Sequence, residues 1–180
     1  MDVEVEQRLV RREAVLAFGL TMAVCGVSLL LLPRLIELPV EIAPRLALAI
    51  QTSVPHLLCV LVAIQLVSSG RYHSAADIAG AAAGPPSPQL AVKVAFLQNT
   101  LEQAFVGICA QLVLASVAGG AVLALLIASA ILFPVGRVLF YRGYAGGAGS
   151  RALGMALTAL PSLVCLGAAG VVTMGELFSG

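Results

Sequence analysis

Tryptophan is absent from this chain, and its aromatic residues are limited to six phenylalanines and three tyrosines. Charged residues are also scarce, at 11% of the sequence, where soluble proteins average about 25%. A soluble domain of this size would need far more polar surface. Together with a hydrophobic share of 60%, the scarcity of charge indicates an integral membrane protein with a thin aromatic belt at the interfaces.

An excess of positive charge is missing as well. The net charge is +1, which argues against nucleic acid as a partner. The four cysteines (Cys25, Cys59, Cys109 and Cys165) sit singly in separate apolar segments, so they are predicted to be small buried residues. His73 and Asp77 lie four apart in a loop, but two ligands are too few for a metal site. The sequence predicts no metal.

Runs without charge mark the membrane spans. The run 103–136 is too long for one crossing of a hydrocarbon core about 30 Å thick, and Gly119-Gly120 offers a turn in its middle. An all-α, polytopic bundle of five helices follows, over residues 14–32, 46–68, 91–117, 121–140 and 152–174. The first helix is preceded by three arginines, but no small-residue cleavage site follows it, so it is interpreted as a retained helix.

Five spans place the N-terminus and the second and fourth loops on one side of the membrane. That side holds most of the positive residues: Arg8, Arg11, Arg12, Arg71, Lys93, Arg137, Arg142 and Arg151. Only Arg34 and Arg45 fall on the other side. The positive-inside rule therefore predicts a cytoplasmic N-terminus and an external C-terminus. The second loop contains Pro85-Pro86-Ser87-Pro88 and is predicted to be a connector with a short interfacial turn.

Polar residues interrupt the third predicted helix in its cytoplasmic half. Asn99 and Glu102 are three apart and share a helix face, which Gln98 and Gln103 flank. A polar stripe this wide is costly against lipid and should face other helices or a water-filled cavity. A carboxylate at membrane depth is a candidate functional residue.

A second polar cluster closes the fourth predicted helix and opens the fifth. Arg137 and Tyr141 are four apart, and a glycine-rich loop follows. Ser150 is predicted to be the N-cap of the fifth helix, which places Arg151 in its first turn. A cation there opposes the helix dipole, so a bound anion is expected between Arg151 and the helix N-terminus. Alternatively, the arginines are topological anchors and Glu102 pairs with Arg137 to hold two helices together.

These residues resemble the MAPEG family, membrane-associated proteins of eicosanoid and glutathione metabolism. The resemblance covers about residues 46–175. It rests on Asn99-Thr100-Leu101-Glu102, on Arg137, on Gly143-Tyr144 and on Arg151, in that order and at the family's spacing. It divides the chain into 1–45, with an additional helix, and 46–180, a four-helix domain.

The resemblance implies a homotrimer with glutathione as co-substrate, bound at subunit interfaces near the cytoplasmic face. Arg151 is expected to be the catalytic residue that stabilises the thiolate. The expected glutathione contacts are Asn99, Glu102, Arg137 and Tyr144, with Gln98 beside them and Tyr141 as a further candidate. Two positions depart from the family pattern: Ala95 and Phe140 stand where many members carry arginine and tyrosine. Lys93 and Tyr141 are neighbouring substitutes.

The predicted function is a glutathione-dependent transferase or peroxidase that acts on lipophilic electrophiles, in a bacterial inner membrane. Two alternatives stay open. One is a non-catalytic bundle that uses the polar residues for packing. The other is a small proton-coupled transporter that uses His56 and Glu102. His56 lies beside Pro55 and near Gln51, Thr52 and Gln65, and is interpreted as a helix-packing histidine rather than a proton relay.

Overall fold

The computed structural model describes residues 3–179. Its six α-helices form five lengths of helix that are long and apolar enough to cross a membrane. The helices are α1 (Val3–Leu35), α2 (Ile42–Thr52), α3 (Val54–Tyr72), α4 (Pro88–Val117), α5 (Ala124–Arg142) and α6 (Ala148–Ser179). The five-span prediction is confirmed, although the helices extend beyond the predicted boundaries.

The second span consists of α2 and α3, with a break at Ser53. Pro55 stands in the first turn of α3 and cannot donate the backbone hydrogen bond of a continuous helix. Ser53 stabilises the break by donating its hydroxyl to the Ala49 carbonyl over 2.8 Å. Pro55 therefore marks a break in the second span directly beside His56.

The fourth span begins with a short 3-10 turn, Gly120–Leu123, before α5. The predicted turn at Gly119-Gly120 is confirmed: Gly120 has a φ of +66°, a conformation that favours glycine. Its backbone N–H donates to the Pro39 carbonyl over 2.9 Å, which joins the first and third loops. These loops lie at the same end of the bundle, as five alternating spans require.

Helix α6 packs against α1, α4 and α5. Glycines permit its close contact with α5. A Cβ atom at Gly154 would overlap the backbone nitrogen of Phe140 and would lie 2.6 Å from the Gly136 carbonyl oxygen. Small residues of this kind let backbones approach in membranes, where packing replaces the hydrophobic effect as the driving force.

The second loop is folded around Asp77, which is buried. Its carboxylate accepts hydrogen bonds from the hydroxyls of Ser74 (2.6 Å) and Ser87 (2.7 Å) and from the Ser87 backbone N–H (2.8 Å). These bonds hold the pKa of Asp77 below its usual value. The predicted short turn is present as a 3-10 turn at Ala81–Ala83.

Candidate functional site

The predicted polar residues of α4 separate onto two surfaces. Asn99 is half-buried and faces the bundle, where its Oδ1 accepts a hydrogen bond from Nη1 of Arg137 over 2.8 Å. Gln98 and Glu102 are exposed on the outside of the chain and bond to each other over 3.2 Å. The recorded hydrogen-bond partners of Arg137 within residues 3–179 are neutral, so the alternative pairing of Glu102 with Arg137 is not formed.

Arg137 is 2% exposed, in the half of α5 that ends at Arg142. Besides Asn99, it donates through Nη2 to the Thr158 hydroxyl. Its Nε is buried and has no hydrogen-bond partner among residues 3–179. Its guanidinium carbon lies 4.7 Å from the ring centroid of Phe140. A buried cation needs hydrogen bonds and a favourable environment to offset its desolvation, and Thr158 is a partner that sequence reasoning missed. Thr158 lies in an apolar run, and a single hydroxyl there does not by itself indicate a partner for an arginine.

Phe140 and Tyr144 connect Arg137 to Arg151. The two rings meet edge to face with centroids 5.4 Å apart, and the Arg151 guanidinium carbon lies 4.8 Å from the Tyr144 centroid. Contacts of this length between guanidinium groups and ring faces are attractive. The order Arg137–Phe140–Tyr144–Arg151 therefore forms a continuous cation–aromatic arrangement.

Beside Tyr144 and Arg151 lies a cavity of about 460 Å³, named here the Arg151 cavity. This volume is within the roughly 300–1,000 Å³ of typical ligand sites. The cavity is lined by Val10, Ala14, Asn99, Phe140, Tyr144, Ala148, Arg151, Ala152, Met155 and Ala156. The structure thus brings together Asn99, Tyr144 and Arg151 from the predicted set, and adds α1 as a wall.

Tyr141 lies on a different side of α5. Its ring centroid is 4.7 Å from that of Phe96, and it lines an apolar groove of about 330 Å³ that also contacts Arg137 and Cys59. Of the two tyrosines considered for the family's missing tyrosine, Tyr144 lines the Arg151 cavity and Tyr141 lines this groove. Lys93 likewise points elsewhere: its Nζ would lie 3.1 Å from a Cβ at Gly70 in α3.

The start of α6 differs from the prediction. The helix begins at Ala148, so Arg151 is its fourth residue. Ser150 was expected to be the N-cap, and this is wrong: its hydroxyl donates to the carbonyls of Gly143 (2.5 Å) and Gly147 (3.1 Å). Because Gly147 adopts a φ of +95°, the chain turns into the helix earlier than the serine pattern indicated.

A carboxylate does lie at the N-terminus of α6, and it belongs to the chain itself. Oε2 of Glu6 in α1 accepts a hydrogen bond from the Gly149 backbone N–H over 2.7 Å. An anion at a helix N-terminus is favoured by the free N–H groups and the dipole. Sequence reasoning missed Glu6, because its partner is far away in the chain.

His56 belongs to a separate polar cluster inside the bundle. It is fully buried, its ring centroid is 4.1 Å from that of Phe133, and its Nε2 lies 3.4 Å from the Gln111 side-chain nitrogen. Gln111, also fully buried, accepts from Thr52 (2.8 Å) and donates to Ser129 (3.2 Å). Gln51 and Gln65, which the sequence grouped with His56, are exposed instead. The cluster joins α2, α3, α4 and α5, as a helix-packing role requires.

The geometry defines a class of protein, a membrane bundle of five spanning helices. Its cavity is lined by arginine and tyrosine and lies where the beginning of α1 meets the beginning of α6. A sequence model of the MAPEG family matches residues 46–171, and the chain belongs to this family. Neither a search of curated proteins nor a search of solved structures returned a match. The whole of α1 (Val3–Leu35) lies before the matched residues, so α1 is additional to the family region.

Proposed function

We propose that the chain is a glutathione-dependent membrane enzyme, a transferase or peroxidase that acts on lipophilic electrophiles. The observation that carries the proposal is the position of Arg151, over the Tyr144 ring in the wall of the Arg151 cavity. Membership of a family named for glutathione and eicosanoid metabolism supports it. The thiol of glutathione has an ordinary pKa of about 8.5, which a neighbouring cation lowers.

In the transferase reaction, the thiolate sulfur attacks an electrophilic carbon. A carbon–sulfur bond forms, the leaving group departs with its electron pair, and the thiol proton has already passed to solvent. In the peroxidase reaction, two glutathiones are oxidised to the disulfide while a hydroperoxide is reduced to an alcohol and water. In both reactions Arg151 would stabilise negative charge on sulfur. The lipophilic substrate would enter from the bilayer.

We also propose that the functional unit is a homotrimer. Its support is the outward position of Gln98 and Glu102, both exposed on a membrane-spanning helix of the single chain. A carboxylate that faces lipid is costly. A neighbouring subunit would cover this pair, and Glu102 would then face a ligand held between subunits. The positive-inside bias supports a cytoplasmic site, in a bacterial inner membrane.

The test measures the thermal midpoint of the detergent-purified protein with and without millimolar glutathione. Ligand that binds the native state alone stabilises it by roughly 2.7 kcal/mol at a hundredfold excess over the dissociation constant. We expect a shift in the wild type that shrinks in Arg151→Ala. Arg142→Ala is the matched control, since Arg142 is exposed and lines the groove beside Tyr141 rather than the Arg151 cavity.

The absorbance of the thiolate reports the chemistry directly. Bound glutathione should ionise below its ordinary pKa in the wild type and close to it in Arg151→Ala. A wild type that gains no stability from glutathione would favour the non-catalytic bundle. That second candidate is favoured by Arg137, whose Nη1 and Nη2 donate to Asn99 and Thr158 of the same chain.

A further inference from the structure

We infer that α1 forms part of the glutathione site and that Glu6 and Arg11 bind the amino-acid end of the tripeptide, its γ-glutamyl ammonium and carboxylate. This inference rests on the proposed function. The whole of α1 precedes the residues matched by the family model, so these contacts belong to the additional helix.

The first observation is a second cavity that adjoins the Arg151 cavity. Its volume is about 520 Å³, and Glu6, Gln7 and Arg11 are among its lining residues. It shares Val10 and Ala148 with the Arg151 cavity, so the two spaces meet at these residues. We name it the Arg11 cavity. A ligand whose thiol lies beside Arg151 can therefore extend past Val10 without leaving the wall formed by α1.

The second observation is the helical spacing of these residues. Gln7, Val10, Arg11 and Ala14 are separated by three or four positions, so they share one face of α1. Contacts of the neighbouring residues Glu6 and Leu9 with Gly149 orient this face of α1 against α6. Glu6 accepts the Gly149 N–H, and a Cβ at Gly149 would lie 2.6 Å from Cβ of Leu9. The start of α1 is therefore packed closely on the start of α6.

The third observation is the match of charges. The γ-glutamyl end of glutathione carries an ammonium and a carboxylate on one carbon. The Arg11 cavity presents a guanidinium and a carboxylate. Glu6 accepts the Gly149 N–H through Oε2, and a carboxylate can accept further hydrogen bonds. Guanidinium groups bind carboxylates through paired hydrogen bonds. Arg151 would hold the sulfur, and Glu6 and Arg11 would hold the opposite end.

The experiment compares two ligands and four arginine variants of the full chain. Glutathione contains the γ-glutamyl group, while N-acetylcysteinylglycine has the same thiol without it. Arg11 is exposed, so we expect Arg11→Ala to weaken glutathione binding about 2- to 5-fold, the upper range of an exposed ion pair. It should leave the binding of N-acetylcysteinylglycine unchanged, whereas Arg151→Ala should weaken both ligands.

Arg12→Ala is the matched control, because Arg12 is the exposed neighbour on another face of α1 and lines neither cavity. Arg11→Lys should recover part of the affinity. Equal losses in Arg11→Ala and Arg12→Ala, equal losses for both ligands, or full glutathione affinity in Arg11→Ala would each overturn the inference while the proposed function stood. A wild type that binds neither thiol would instead overturn the proposed function, and this inference with it.

Discussion

The rings of Phe140 and Tyr144 meet edge to face with their centroids 5.4 Å apart. Arg137 lies over the first ring and Arg151 over the second, at 4.7 and 4.8 Å from the respective centroids. One end of this arrangement is buried and bonded to Asn99, and the other lines the Arg151 cavity. Phe140, which departs from the family's tyrosine, thus retains an aromatic contact between the two arginines.

Thr158→Val should destabilise the protein by roughly 1–3 kcal/mol, because Arg137 would lose a buried hydrogen-bond acceptor. Thr173→Val is the control. Thr173 lies on the same helix, and its hydroxyl bonds to the Ala169 carbonyl of its own helix. Chemical denaturation in detergent measures the free energy of unfolding of both variants. Equal effects of the two changes would mean that the Thr158 contact contributes nothing beyond the loss of a hydroxyl.

Gly154→Ala should destabilise the contact between α5 and α6 by about 1–3 kcal/mol or more, because the new Cβ would overlap the Phe140 backbone. Gly167→Ala in the same helix is the control, since a Cβ there meets nothing within 4 Å. The thermal midpoint should fall only in the first variant. Equal thermal midpoints in Gly154→Ala and Gly167→Ala would show that α5 and α6 can separate slightly without loss of stability.

Gln111→Leu should cost roughly 1–3 kcal/mol, because it removes the buried amide that accepts from Thr52 and donates to the buried Ser129 hydroxyl beside His56. Gln65→Leu, at an exposed position of α3, should change the thermal midpoint little.

If His56 carried protons instead, His56→Phe would abolish proton-coupled flux in proteoliposomes. A wild type without such flux would remove the transporter alternative.

The second loop should respond to pH through Asp77. The hydrogen bonds from Ser74 and Ser87 lower the pKa of Asp77 in the folded state. Their stabilisation is therefore complete above the unfolded pKa of about 3.9 and is lost as the pH falls through the lower folded value. The Ser87 amide resonance, followed by NMR in detergent, should titrate with a midpoint below the unfolded value.

Asp77→Asn provides the control for this titration. The variant should lose the acidic transition of the Ser87 amide, and its loop should be cleaved faster by protease at neutral pH. A wild-type midpoint at or above the unfolded pKa would contradict the bonding of Asp77 to Ser74 and Ser87.

The sequence by itself determined the number of spans, the turns between them and the residues of the two polar clusters. These features depend on local properties. Charge cannot be placed in hydrocarbon without cost, so spans are visible as charge-free runs. Glycine at the Gly119-Gly120 turn and proline at the break before α3 act on their own backbone. The order and spacing of Asn99, Arg137, Tyr144 and Arg151 likewise indicated the family that the matched residues confirm.

Only the tertiary structure decided which face of each helix meets which neighbour. Asn99 and Glu102 are one turn apart, yet packing encloses the first and leaves the second outside. Thr158, Gln111 and Glu6 acquired their roles from partners in distant segments. Helical periodicity fixes the angle between side chains on one helix, but not the rotation of that helix against the others. That rotation is set by the close packing of the assembled bundle, including the glycine contacts between α5 and α6.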